Sequence, residues 1–379
     1  MKKTKTRTRY YDYSLKFIIY FLLVFGLIIL YSTSSYNGRL KLGDPAYYLK
    51  HQMVMTAVGL VAMEIIARID YRFWKPFALY AYIVSIILTL LVKFTPLGVT
   101  LNGARRWLGY KNFSFQPAEV AKISLIVFLA AFVCEVGKNI RRIKTLIAIM
   151  AVTGVMAFCV YVFTDNLSTG IIILGIGVVI AFVAFPEYKP FLFGAVGAIL
   201  FVALLLFLVF HFVTLTDDTP FRIQRLFAWR NPEKYTSDIA YQTLQALYAI
   251  GSGGLFGKGL GNSIQKLGFI PEAQNDMIFS IICEELGLFG AVCIIFVFGL
   301  MLWRFMIIAN NAPDLFGALI MVGIMAHIAI QVILNVAVVT NVIPNTGITL
   351  PFISYGGTSV IFLLAEMGLA LNISSKMRA

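Results

Sequence analysis

The sequence predicts an all-α, polytopic membrane protein of about ten transmembrane helices, with one long extracytoplasmic loop between the seventh and eighth. Three observations predict it. Of 379 residues, 60% are hydrophobic and 13% charged, about half the roughly 25% charge of an ordinary soluble domain. Apolar runs of about 20 residues, the length that crosses a bilayer, recur from end to end. Basic residues gather in short clusters between those runs, as in Lys2-Lys3-Lys5-Arg7-Arg9, Arg68-Arg72-Lys75 and Lys138-Arg141-Arg142-Lys144. That is the pattern of cytoplasmic membrane loops, and no nucleic-acid motif accompanies it. The net charge of +13 therefore speaks for topology, and no nucleic-acid partner is expected.

The chain reads as one integral membrane domain over 1–379, opened by a basic cytoplasmic segment at 1–14. Spans are expected near 15–33, 52–69, 76–94, 118–136, 145–163, 168–185, 191–213, 277–301, 315–337 and 357–373. The first run is long enough to span and no small-residue cleavage site follows it, so it is a membrane helix rather than a removed signal. An even number of crossings puts both termini on one side, and the Lys/Arg bias makes that side the cytoplasm. The fifth and sixth spans meet near Asp165-Asn166, the least sharp boundary. Cys134, Cys159, Cys283 and Cys293 all lie in apolar runs, without CxxC spacing or a His partner, and read as small buried hydrophobes. The loop at 214–275 is too long for a simple connector. Its stretch 239–250 has helical spacing of apolar positions, suited to the membrane surface or to packing on the bundle. The Gly-rich run 251–261 lacks the Gly-Lys-Ser/Thr ending of a nucleotide loop and reads as a hinge or a backbone-close turn.

Polar groups stand out where apolar ones would be cheaper. Asp276 lies where the long loop turns into an apolar helix, and a carboxylate at such a boundary is a candidate working group; an N-cap is its plainer role. Glu284 and Glu285 follow deeper on the same helix and suit internal ion pairs. Arg105 and Arg106 beside Trp107 suit phosphate recognition or an interfacial anchor. Glu119 and Lys122, at i, i+3 spacing, can neutralise one another. The segment 341–359 carries two prolines and several glycines between spans, and irregular backbone at membrane depth is tolerated where it is buried in protein or lines a wet cavity. The segment 164–170 either lines the same cavity or turns the chain. The histidines, His51, His211 and His327, form no nucleophile–base arrangement, and His327, mid-span, suits a helix–helix hydrogen bond.

These fragments, in this order and spacing, resemble the SEDS family (shape, elongation, division and sporulation) of polytopic peptidoglycan polymerases. The resemblance covers nearly the whole chain: Asn102-Gly103…Arg106-Trp107, Gln116-Pro117-Ala118-Glu119…Lys122, Asn166-Leu167-Ser168-Thr169, Tyr241-Gln242, Gly259-Leu260-Gly261-Asn262-Ser263, Pro271-Glu272-Ala273…Asp276, Glu284-Glu285-Leu286-Gly287 and Gly347…Leu350-Pro351-Phe352-Ile353-Ser354-Tyr355-Gly356-Gly357. The Pro-Glu-Ala before the acid looks more like the division branch, FtsW or its sporulation relative SpoVE, than the RodA elongation branch. Met277 replaces the usual Phe after the acid, and Asp165 replaces a usual Pro.

The resemblance implies a glycosyltransferase of the bacterial cytoplasmic membrane that polymerises lipid II at its outer face. It implies inversion at the anomeric carbon and release of undecaprenyl pyrophosphate, in cell division or cell shape. Asp276 matches the family's catalytic acid and is the expected general base. Substrate-binding candidates are Arg105, Arg106, Lys122, Lys258, Lys266, Gln242, Ser354 and Thr358, with Glu119, Glu284 and Glu285 as structural support. No metal ligand and no cofactor are assigned, although a divalent cation (Mg or Mn) suits a pyrophosphate leaving group. The implied partners are a class B penicillin-binding protein, a transpeptidase, and other divisome or elongasome membrane proteins. A lipid II flippase is the rival reading and an idle divisome scaffold a third. A flippase places its charges along a path through the bilayer, whereas these cluster at one mouth.

Overall fold

A computed structural model describes residues 12–101, 104–110, 113–214, 219–235 and 240–377. Among them, nine helices are long and apolar enough to cross a membrane. They are α1 (Tyr13–Leu42), α2 (Tyr47–Arg68), α3 (Ala78–Phe94, entered through a 3-10 turn), α4 (Pro117–Val136), α5 (Ile143–Thr164), α6 (Leu167–Ala184), α7 (Lys189–Phe212), α10 (Ile278–Asn310) and α11 (Leu315–Val339). A tenth, α12 (Ser359–Ser374), is shorter. Each expected span has its helix. Some run further than expected: α1 continues through Ser32, Thr33, Ser34 and Asn37, all buried. Hydropathy falls there, but the helix persists, with Ser32 bonding Glu285, Asn37 bonding Gln274, and Thr33 returning to the Ile29 and Leu30 carbonyls of its own helix. Asp165 closes α5 in a left-handed conformation, and the Asn166 side chain caps α6.

Two short helices, α8 (Phe221–Arg230) and α9 (Tyr241–Gly253), fill part of the long loop. The expected helix at 239–250 is thus present from Tyr241; Ile239 lies outside the described residues. It packs on α10, with Thr243, Leu244, Ala246 and Ala249 buried.

One element was absent from the all-helical expectation. A small antiparallel sheet joins α3 to α4 in the order β1 (Gly98–Leu101), β2 (Ala104–Tyr110), β3 (Phe113–Phe115). Val99 pairs with Trp107, Thr100 with Arg105, and Leu108 with Phe115. The sequence signal was there in Val99-Thr100-Leu101 and the Asn102-Gly103 dipeptide, a strong hairpin signal, although those two residues lie outside the described set.

The core runs along α4, α6, α10 and α11. No residue of α7 is buried; its end meets α8 through Phe210 against Phe227 and Arg230. At one end of the bundle Asp12 pairs with Arg304 at 2.7 Å and takes the Ser374 hydroxyl against its backbone N–H. The first and last described helices therefore begin and end together, as an even number of crossings requires. Among the cysteines, Cys159 and Cys283 are buried, Cys134 is intermediate and Cys293 is exposed on α10, so the buried expectation fails for Cys293. An apolar helix face turned to lipid hosts a small thiol as readily as a core does.

Candidate active site

Asp276 occupies the last turn before α10, after Glu272, which adopts a left-handed conformation (φ 53°). Met277, not Asp276, is the N-cap residue of α10, and no side chain caps that helix. The plainer role for Asp276 is therefore not the one it has. Asp276 is mostly but not completely buried. Gln242 on α9 donates to its Oδ1 at 3.4 Å, and to the Pro271 carbonyl at 3.2 Å. Asn345 donates to the Gln242 carbonyl oxygen at 3.1 Å, so one amide joins the long loop to the 341–358 segment. Gly347 lies so near that a Cβ there would be 3.8 Å from Asp276 Oδ2.

Burial pushes the Asp276 carboxyl up to about 6; the cation of Arg225 and the Gln242 bond pull it back, while the Glu272 carboxylate adds to the rise. A carboxyl poised there is ionised at neutral pH yet still basic enough to take a proton.

The cation nearest in influence is one the sequence reading missed. Arg225 sits on α8, donates to the Asn345 carbonyl at 3.1 Å, and is coupled to both Asp276 and Arg222. Arg106 on β2 donates to the Asp165 carbonyl at 3.1 Å. Burial holds its guanidinium below its ordinary value, and the charges of Arg225 and Arg222 lower it further. Arg222 bonds the Tyr161 hydroxyl at 2.8 Å and pairs with Asp165 at 3.6 Å. Three guanidinium groups from β2 and α8 thus lie near one another, and one of them, Arg225, acts on the acid. The available signal was the i, i+3 spacing of Arg222 and Arg225 in the amphipathic Phe221–Arg230 stretch. The 164–170 segment joins the same region, since Ser168 donates to the Thr346 carbonyl at 2.5 Å.

The other candidate cations are committed elsewhere. Lys122 is 2% exposed and pairs with Glu119 at 3.0 Å. Lys258 pairs with Glu284 at 2.7 Å, and Lys266 with Glu285 at 2.8 Å and Ser32 at 2.9 Å. Arg105 turns back onto the Thr95 carbonyl at 2.7 Å. The Ser354 hydroxyl accepts from Leu350 N–H within its own turn, and Thr358 precedes α12 without a capping bond. The turn of Ser354 nonetheless braces the acid's loop, because Tyr355 N–H donates to the Gln274 carbonyl at 2.9 Å.

The two glutamates mark a break in α10. Gly287 has φ 68° and ψ −170°, so the helix's own bonds fail there. The Gly-rich loop closes the gap: the N–H groups of Lys258 and Gly259 donate to the Glu284 and Glu285 carbonyls, and those of Leu288 and Phe289 donate to the Gly254 and Leu255 carbonyls, all at 2.9–3.0 Å. An unsatisfied backbone group in hydrocarbon costs several kcal/mol, so this exchange makes the break tolerable. Gly257, at φ 78°, admits no Cβ, which would fall 2.2 Å from the Glu285 carbonyl oxygen. The backbone-close turn expected for this run is what is found.

Among the described residues, no group of three or more His, Cys, Asp or Glu side chains comes together to hold a metal ion.

The model of the FtsW/RodA/SpoVE family, described as "Cell cycle protein", matches residues 13–379. The chain is 39% identical over 370 residues to "Stage V sporulation protein E" of Bacillus subtilis, covering 97% of this chain and 98% of that one. It is 34% identical over 373 residues to "Probable peptidoglycan glycosyltransferase FtsW" of Trichlorobacter lovleyi, covering 97% and 94%. In structure it matches a chain of a peptidoglycan synthase complex described as coordinating polymerization and crosslinking, at TM-score 0.78 and 26% identity over 96% of this chain and 97% of that one. It also matches the rod shape determining protein RodA of Thermus thermophilus, at TM-score 0.67 and 25% identity over 97% and 98%.

Proposed function

The chain belongs to the FtsW/RodA/SpoVE family of cell cycle proteins, and from that premise we propose that it is a peptidoglycan glycosyltransferase with Asp276 as its general base. Its substrate is lipid II, a disaccharide-pentapeptide on undecaprenyl pyrophosphate, taken at the outer face of the cytoplasmic membrane, with both termini inside. The hydroxyl of one sugar gives its proton to Asp276 and attacks the anomeric carbon of the growing chain. The bond to the lipid pyrophosphate breaks with inversion. Such a step needs a base on the nucleophile and positive charge at the leaving group.

The observation that carries this reading is one partly open carboxyl, raised to about 6, beside a guanidinium cluster. Arg225, Arg222 and Arg106 suit the leaving pyrophosphate, since guanidinium binds phosphate oxygens bidentately. A groove of about 610 Å³ lined by Leu206, Phe207, Phe210, His211, Trp229 and Arg230 lies one helical turn from Arg225 and suits the first isoprene units of the tail. The ion-paired Lys122, Lys258 and Lys266 support the fold in this proposal, not the leaving group. We propose a class B penicillin-binding protein as partner, in keeping with the synthase complex that the structure resembles.

The test is polymerisation of lipid II by the purified protein, alone and with its transpeptidase. Asp276→Ala and Asp276→Asn should each lose about 10²–10⁴-fold in rate, the usual worth of a positioned base. Normal glycan elongation by either would overturn the assignment. Leaflet exchange of lipid II in vesicles without polymerisation would install the transporter in its place.

A further inference from the structure

Helix α11 carries three polar side chains that the proposed chemistry does not use: His327, Gln331 and Asn335, all buried. Positions four apart lie on one face of a helix, so the three make a single stripe. It is bonded from end to end. Asn335 Nδ2 donates to the carbonyl of Asp276 at 2.8 Å and to that of Ile348 at 2.7 Å. Gln331 Nε2 donates to the Thr349 carbonyl at 3.0 Å, and its Oε1 faces His327 Nε2 at 2.9 Å. His327 Nδ1 lies 2.8 Å from Glu366 Oε2 on α12.

Bond polarity fixes the protons along this chain. The Thr349 carbonyl can only accept, so it holds the Gln331 amide with its nitrogen toward the loop and its oxygen toward the imidazole. His327 Nε2 must then carry a hydrogen. On the other side of the ring Nδ1 faces the Glu366 carboxyl, so both ring nitrogens have a partner. The same polarity orients Asn335: two carbonyls converge on its nitrogen, so its Oδ1 points away, buried and without a protein partner. An apolar residue would leave no orphan oxygen here, so packing alone does not account for the side chain.

We propose that Asn335 is a positioning residue of the active site, a clamp whose two N–H groups tie the Asp276 turn to the Ile348–Thr349 segment and thereby aim the carboxyl. Gln331 and the His327–Glu366 pair anchor the clamp to the neighbouring span. Each N–H serves one carbonyl, one at the close of the long loop and the other in the middle of the 341–358 segment. Removing the amide frees the turn without touching the carboxyl itself.

The inference rests on Asp276 being the base, and the experiment separates the two. Wild type, Asn335→Ala, Gln331→Leu and Asp276→Asn are compared with lipid II and the transpeptidase over a pH series. Misplacement of a reacting group by about 1 Å costs on the order of 10²-fold. Asn335→Ala should lose about 10–100-fold in kcat with KM held within about twofold. Its acid limb should move down toward the ordinary carboxylate range, because a loosened turn admits water to the carboxyl. Gln331→Leu, which leaves both Asn335 bonds in place, should show a smaller loss in the same direction; it carries the test alone if Asn335→Ala does not fold. A folded Asn335→Ala with wild-type kcat and an unmoved limb, beside an inactive Asp276→Asn, overturns the clamp alone. An active Asp276→Asn overturns the base assignment, and with it the clamp's purpose.

Discussion

Asp276 and Glu284 lie about two helical turns apart, at the threshold of α10 and inside it, yet their surroundings are opposite. Glu284 is fully buried and accepts from Lys258, Ser263 and the N–H groups of Ile264 and Gln265. Asp276 is left partly open, held by its own backbone N–H and a long bond from Gln242, with a guanidinium acting on it from α8. The first carboxylate has its partners built in; the second has room for a proton from outside the fold, as the proposed base would need. Burial without full compensation is what raises a carboxyl into the working range, whereas a saturated acid serves as a fastener. Charge count alone would have ranked the glutamates first.

Substitutions around these acids would erase or deepen this contrast. The largest effect on folding is expected from Glu285→Ala, which strands Lys266 in the interior. Breaking a buried pair this way costs about 3–5 kcal/mol, read as a lowered unfolding midpoint in detergent, while the folded fraction keeps its turnover. A dead but stable Glu285→Ala would move that glutamate into the chemistry. Next comes Arg225→Ala, where loss of a charge-assisted contact worth about 1.5–3 kcal/mol should lower kcat/KM by about 10–100-fold. Arg225→Lys should recover only part, because a point charge lacks the planar fork; full recovery would mean that charge alone matters.

The smallest effect is on stability and pH. The folded carboxyl of Asp276 titrates near 6 against 3.8 for an unperturbed one, so between these values the folded protein binds the proton more readily than the unfolded chain. Stability therefore falls as pH rises from about 4 to about 6, and the cost is complete above that. Asp276→Asn should melt a few degrees higher than wild type near neutral pH and no higher near pH 4. Equal melting at both would show that the carboxyl is well solvated. Wild-type polymerisation should rise with pH through the same limb near 6.

Much of this was legible in the sequence. Bilayer thickness sets helix length, so all ten spans could be placed from apolar runs alone, and Asp276, Arg106 and the glutamates announced themselves as polar groups in an apolar text, whereas Gln242 came only through the family resemblance. What stayed hidden depended on contacts between distant segments. Arg222 and Arg225 look like surface residues of a short amphipathic helix until the fold brings them beside Arg106 and Asp276. Lys258 and Lys266 look like free cations until Glu284 and Glu285 are seen beneath them. The β1–β2 hairpin was spelled out by β-branched residues around Asn102-Gly103, but an expectation of helices passed over it. Asn335 reads as one polar residue in a long apolar run, and only the two converging carbonyls reveal its work.

The seam at Gly287 has a consequence for how this chain tolerates change. Four main-chain N–H groups against four carbonyls close it, with the Lys258–Glu284 ion pair alongside, while Leu255 and Phe256 project outward. A library of substitutions across 253–261 and at the facing Gly287 should therefore yield a comb: permissive teeth where a side chain simply leaves the backbone path, and gaps at Gly253, Gly257 and Gly287, where a Cβ would meet backbone atoms within 2.0–2.4 Å. The most delicate joint in the molecule would be nearly invisible to any survey that scores residues by what their side chains touch.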